Sequence, residues 1–269
     1  MSTSPVRALT DGWVVAKRNM IKIKRVPEIM VFVLVSPIMF VLLFAYVFGG
    51  AIDAGPGLDY KEFLIGGIFA QTVVFGATFT GASLAEDMQK GFIDRFRSLP
   101  MARSAVLIGR TGSDIIYNVV SLVVMALTGL LVGWRANGSV LDTLAAFGLL
   151  LLFAYAISWV MAWVGLSVPS VDVINNASFI VIMPLTFVSN AFVPAKDFPA
   201  ALKPVVEWNP VSAVTQAVRD LFGNLPDGQQ VPDAWSMQHP VLYTLIWVVL
   251  ILAVFVPLSV RQYQRASLK

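Results

Sequence analysis

Cysteine is absent from the 269 residues and histidine occurs once, at His239. The first absence excludes disulfides, thiolate metal ligands and a cysteine nucleophile. A lone histidine at the start of an apolar run gives no serine, histidine and acid arrangement with supporting context. Charge is scarce as well: Asp, Glu, Lys and Arg make up 13% of the chain, against about 25% in an ordinary soluble domain. There is no Gly-x-x-x-x-Gly-Lys-[Ser/Thr] phosphate loop, so the chain is not expected to hydrolyse nucleotide on its own. No catalytic constellation, no metal-ligand set and no bound cofactor are expected.

What is present is apolar. Hydrophobic residues are 57% of the sequence, and the mean hydropathy is +0.77. Six runs are long enough for a helix to cross a hydrocarbon core, which takes about 20 residues. They fall near 29–50, 62–85, 112–134, 141–166, 173–193 and 240–260. The expected fold is therefore an all-α polytopic membrane protein with six transmembrane helices, in one membrane domain spanning 1–269. Open sheets are excluded because their edges stay unpaired in lipid. The first run is too long for the core of a cleavable signal, about 7–15 residues.

The basic residues set an orientation. Arg7, Lys17, Arg18, Lys22, Lys24 and Arg25 precede the first run; Lys90, Arg95, Arg97, Arg103 and Arg110 lie between the second and third; Arg261, Arg265 and Lys269 follow the last. With six spans these segments share one side, which then carries 14 of the 19 Lys and Arg. Both termini and the 86–103 segment are expected in the cytoplasm. This explains the pI near 9.2 without nucleic acid as a partner.

Val6, Leu9, Trp13, Ala16, Met20 and Ile23 recur at helical spacing. Residues 5–25 thus read as an amphipathic helix in the membrane interface, its cations near lipid head groups, or as a soluble docking helix. The 194–238 connection holds two short helices, about 200–207 and 210–222. Asn209 is the N-cap of the second, Pro210 its first residue and Gly223 its stop. This pair either re-enters the bilayer or caps it on the outer side.

Residues 86–103 form a charged stretch between two apolar runs, with Met88, Phe92, Phe96 and Leu99 in one helical stripe. A surface helix over 86–102 is expected, placed between two spans to receive a push from a soluble partner. Gly91 allows close approach or a bend, Pro100 ends or kinks the helix, and Asp94, Arg95 and Arg97 offer charge-assisted contacts to a partner. Deeper in, Arg110 and Asp114 lie four residues apart on one helix face. They read as a relay of protons or substrate, or as a mutually neutralising interfacial pair with Arg110 snorkelling. Sets of small residues spaced by four suit close helix contacts: Ala77, Gly81 and Ala85; Gly129 and Gly133; Ala154, Ser158 and Ala162. Trp134, Trp208, Trp235 and Trp247 read as interface anchors or packing residues.

The 86–103 segment resembles the cytoplasmic coupling segment of type-2 ABC exporter permeases, with Glu86, Gly91, Asp94, Leu99, Pro100 and Arg103 in the family's places. The run Asp94 to Arg103 followed by Gly109-Arg110 looks like the daunorubicin/doxorubicin-resistance subgroup, and Asn209-Pro210 resembles that family's segment before the last span. Phe92 stands where many family members have Thr. The resemblance implies a permease that dimerises, in a homodimer, and binds two copies of a separate ABC ATPase subunit, which uses ATP and Mg. Glu86, Gly91, Asp94, Arg95, Arg97, Leu99, Pro100 and Arg103 would couple to it. The cargo would be hydrophobic or amphiphilic: a drug, a polyketide or a lipid. The competing expectation is an ion-coupled secondary transporter or a membrane enzyme, needing a charged cluster at mid-membrane for which only Arg110 and Asp114 are candidates.

Overall fold

The computed structural model describes residues 17, 35, 38–48, 60–91, 105–225 and 232–265. In chain order the elements are α1 (Ile38–Val47), whose last turn is π-helical over Phe44–Phe48; α2 (Tyr60–Gly76); α3 (Thr78–Gln89); α4 (Ala105–Val132); α5 (Val140–Gly165); α6 (Val171–Phe187); α7 (Lys203–Glu207); α8 (Pro210–Phe222); α9 (Trp235–Gln238); and α10 (Pro240–Arg265). Among the described residues there is no strand. The chain is an all-α polytopic membrane protein.

Four helical stretches among these residues are long and apolar enough to span a bilayer: 60–89 (α2 with α3), 106–132, 140–165 and 240–265. α1 and α6 are apolar but shorter. α5 and α10 match the runs expected at 141–166 and 240–260 closely. Ser139 caps α5, its hydroxyl accepting from Asp142 N–H at 3.1 Å. Two helices differ from expectation. α4 starts at Ala105, seven residues before the expected 112, because its first charge, Arg110, finds partners on α3 and need not stay at the surface. α6 stops at Phe187 rather than near 193, because the side chain of Asn209 takes the carbonyls of Leu185 and Val188 at its end.

α5 is the hub of the bundle: it packs on α2, α3, α4, α8 and α10. The chain crosses back and forth. One end of the bundle gathers Gln89, the start of α4, the α5–α6 turn and the end of α10, joined by Gln89 Nε2 to Pro169 O and Gln262 Nε2 to Leu166 O. The opposite end gathers the start of α2, the α4–α5 loop, the 188–209 segment and the start of α10. There Tyr60 donates to Phe192 O at 3.2 Å, and Tyr243 to Trp208 O at 3.0 Å.

α8 is the least ordinary element. Its residues 211–219 are all buried, and it lies among α2, α5 and α10. Its start is as the sequence reads: Asn209 Oδ1 accepts from Val211 N–H at 2.8 Å with Pro210 next. Its stop is Gly223, whose φ of +64° suits glycine. The carbonyl of Phe222 then accepts from Asn137 and Gly138 N–H at 2.7 and 2.8 Å. Phe222 closes an aromatic cluster with Phe69, Trp134 and Phe147, ring centroids 5.1–5.7 Å apart. Trp134 is thus a packing residue, its Nε1–H bonded to Asn224 Oδ1 at 2.8 Å; Trp208 and Trp235 stay exposed.

Candidate functional site

Among the described residues, two places hold buried charge inside the apolar bundle, one near each end.

At the first end, α3 carries Glu86 in its last turn, ion-paired four residues on to Lys90. That carboxylate raises the affinity of the Lys90 ammonium for its proton. Gly91 follows at φ +65°, so the α3 helix stops here: residues 86–89 continue the preceding membrane helix and do not begin a separate one. Asp94, Arg95, Arg97, Leu99, Pro100 and Arg103 lie outside the described residues, as does nearly all of the expected 5–25 helix.

Arg110 and Asp114, in the first turns of α4, are both buried. Nη2 of Arg110 is 3.5 Å from Oδ1 of Asp114. The same nitrogen donates to Ser83 Oγ at 2.6 Å and to Phe79 O at 3.3 Å, both on α3. Thr80 of α3 donates its hydroxyl to Asp114 Oδ2. Asn118 donates to the Asp114 carbonyl at 2.9 Å. Arg110 therefore does not snorkel to an interface as the sequence reading allowed. It is turned inward because α3 supplies an oxygen-rich partner surface, and buried charges persist where they are paired and hydrogen-bonded. Four groups of two helices form one clasp.

Close by, α3 and α5 touch backbone to backbone. A Cβ on Gly81 would lie 2.6 Å from Met161 O, and one on Gly165 would lie 2.4 Å from Gly81 O. The small-residue spacing at Ala77, Gly81 and Ala85 thus serves a contact within the chain.

At the second end, Asn209 and Pro210 do structural work at the α8 start, and the charge is Arg219. Its side chain is fully buried. Nε donates to Phe63 O of α2 at 2.7 Å and Nη2 to Ala191 O at 2.9 Å. The guanidinium lies 3.5 Å over the Phe63 ring. Nη1 has no partner. Ser212 and Gln216, on the same α8 face by the i, i+4, i+7 rule, hold Asn190: Ser212 Oγ accepts from Asn190 N–H at 3.0 Å, and Gln216 Oε1 from Asn190 Nδ2 at 3.2 Å. Two glycines of α2 make room. A Cβ on Gly66 would meet Arg219 Cγ at 2.8 Å, and one on Gly67 would meet Ala191 O at 1.8 Å. The sequence alone does not single out Arg219. The polar stripe 212, 216, 219 on an otherwise apolar helix, facing a Gly-Gly pair, was the signal for it.

These features define a class: a helical membrane protein with a charged segment at one bundle end and a short buried helix at the other. The sequence matches the ABC-2 type transporter family over residues 10–222, and the chain belongs to that family. It is similar to the daunorubicin resistance ABC transporter permease protein DrrB1 of Streptomyces coeruleorubidus: 35% identical over 221 residues, covering 82% of this chain and 76% of the relative. It is also similar to the probable doxorubicin resistance ABC transporter permease protein DrrC of Mycobacterium tuberculosis, 26% over 195 residues, covering 72% and 66%. A third likeness is to the putative transport permease ycf38 of Pyropia yezoensis, 24% over 217 residues, covering 77% and 72%. The chain is a permease subunit of an ABC transporter, the transport component of a system whose ATP hydrolysis is supplied by a separate ABC ATPase subunit.

Proposed function

We propose that this permease exports hydrophobic or amphiphilic cargo, of the anthracycline, polyketide or lipid kind, from the cytoplasm across the bacterial inner membrane. It works as a homodimer carried by two ABC ATPase subunits that bind and hydrolyse ATP with Mg. The observation that carries this reading is the 35% identity, over 82% of the chain, to a permease named for daunorubicin resistance. The charge distribution supports the orientation: both termini and the 86–103 segment sit on the cytoplasmic side, and α7 and α8 on the outer side.

In this reading the ATPase grips the segment around Glu86, Gly91, Asp94, Arg95, Arg97, Leu99, Pro100 and Arg103. Closure of the two ATPases on ATP pulls that segment, and α3 and α4 carry the displacement into the bundle. The burial of α8 among α2, α5 and α10 supports a re-entrant helix in the outer half of the membrane. Arg110 and Asp114 fit a structural pair better than a proton relay, because Ser83 and the Phe79 carbonyl hold Nη2 of Arg110 and Thr80 holds Oδ2 of Asp114.

The test is transport by proteoliposomes holding the permease with and without its ATPase subunit, with a fluorescent anthracycline as cargo. ATP-dependent movement that needs both subunits is expected. Movement driven by a proton gradient with no ATPase present would contradict the reading.

A further inference from the structure

The 60–89 helix is not one rod. Its ladder tightens just after Ala77: Ala77 N–H still reaches Val73 O at 3.3 Å, but Thr80 N–H bonds Ala77 O three residues back at 3.1 Å, and the Thr78 hydroxyl turns to Phe75 O at 2.7 Å. This local change of pitch marks where α2 passes into α3. Three polar contacts tie α3 to the first turns of α4: Thr80 to Asp114, Ser83 and the Phe79 carbonyl to Arg110. The backbone contact of Gly81 with Met161 and Gly165 lies one turn from the change of pitch, on α5. A hinge, a close pivot and a clasp thus fall within the seven residues from Ala77 to Ser83.

We propose that Thr80, Ser83, Arg110 and Asp114 are positioning residues for transport. They clasp α3 to the start of α4, so that the two helices flanking the 92–104 segment move as one lever about Ala77 and the Gly81–Gly165 crossing. The clasp is buried, so its bonds compete with little water and hold the two helices in one register. Joining two helices matters mechanically because a pull on the intervening segment would otherwise spread α3 and α4 apart and be lost as local strain. With the clasp closed, the same pull turns both about the pivot. The transport role rests on the reading of this chain as a permease driven through its 86–103 segment; the clasp and the hinge do not.

Two readouts test it. In the purified full-length permease, hydrogen exchange reports the mechanical unit. The Thr80→Val/Ser83→Ala variant removes the cross-helix hydroxyls while leaving both charges and their spacing. It is expected to speed exchange of the α3 amides at least tenfold and leave α2 amides within twofold. In the complex with its ATPase, in proteoliposomes with a fluorescent anthracycline, the same variant is expected to move at least tenfold less cargo per ATP hydrolysed. Thr80→Ser, which restores the hydroxyl, should keep both readouts within twofold of the unaltered protein. A purely packing role for these side chains would not be rescued by the smaller serine. Exchange of α2 and α3 rising together would overturn the hinge; unchanged cargo per ATP with unchanged exchange would overturn the clasp. If the unaltered complex exports nothing, the permease reading fails, and the exchange result still decides the clasp.

Discussion

Arg219→Met removes the guanidinium while keeping most of the stem that fills the space beside Gly66. The native side chain makes two hydrogen bonds to backbone carbonyls, at 2.7 and 2.9 Å, and lies over Phe63 at 3.5 Å. Hydrogen bonds to a charged group are worth about 1.5–3 kcal/mol each, and a desolvated cation–π contact about 2 kcal/mol. The gross loss is then about 5–8 kcal/mol. Against it stands the desolvation of a buried cation, several kcal/mol after relaxation, which methionine avoids. The unpartnered Nη1 enlarges that offset. A net destabilisation of about 2–4 kcal/mol remains. Much of it comes from Ala191 O, which loses its arginine bond and has no room to move past Gly67. Thermal unfolding of the purified permease in detergent should show this as a fall of about 4–16 °C, using about 2–4 °C per kcal/mol. Arg219→Lys reaches one carbonyl at a time and should fall in between. An unchanged or higher midpoint for Arg219→Met would refute the reasoning: desolvation would then outweigh the bonds, as it does for many buried ion pairs.

Three further outcomes follow from the same geometry. Asp114→Ala leaves Arg110 buried without its carboxylate and should cost about 3–5 kcal/mol in unfolding measurements, whereas Arg110→Met with Asp114→Leu should recover most of it; additive losses would count against the pair. Gly67→Ala gains about 1 kcal/mol of helix propensity but sets a Cβ 1.8 Å from a backbone oxygen, so the midpoint should drop, while Gly148→Ala, with open space at its Cβ, should hold or rise. Asn209→Ala should cost more than a simple cap, about 2–4 kcal/mol, since it strips both the α8 cap and the bonds to Leu185 O and Val188 O; a loss under about 1 kcal/mol would mean that water replaces them.

Much of this architecture is legible in the chain because local rules and burial agree. Apolar length places α5 and α10, and Asn209-Pro210 with Gly223 bounds α8 to the residue. What the sequence hides depends on the neighbour. Gly76 and Thr78 are weak helix formers, yet neither announces that the ladder tightens just after Ala77. Arg110 reads as an interfacial cation until Ser83 and Phe79 are known to face it, and α4 lengthens by seven residues for that reason. Arg219 gains its meaning only once α8 is seen inside the bundle, where a Gly-Gly pair on α2 gives its stem and the Ala191 carbonyl space. In each case the residue's own propensity was overridden by a partner far away in sequence.

The central claim is that the segment following α3 faces the cytoplasm and is where the ATPase takes hold. Because the chain has no cysteine, Lys90→Cys gives a single thiol at an exposed position next to it. A membrane-impermeant maleimide should label that thiol in inside-out vesicles and leave it untouched in intact cells, and added ATPase subunit should protect it. Labelling from outside the cell, or labelling that the ATPase leaves unchanged, would contradict the account.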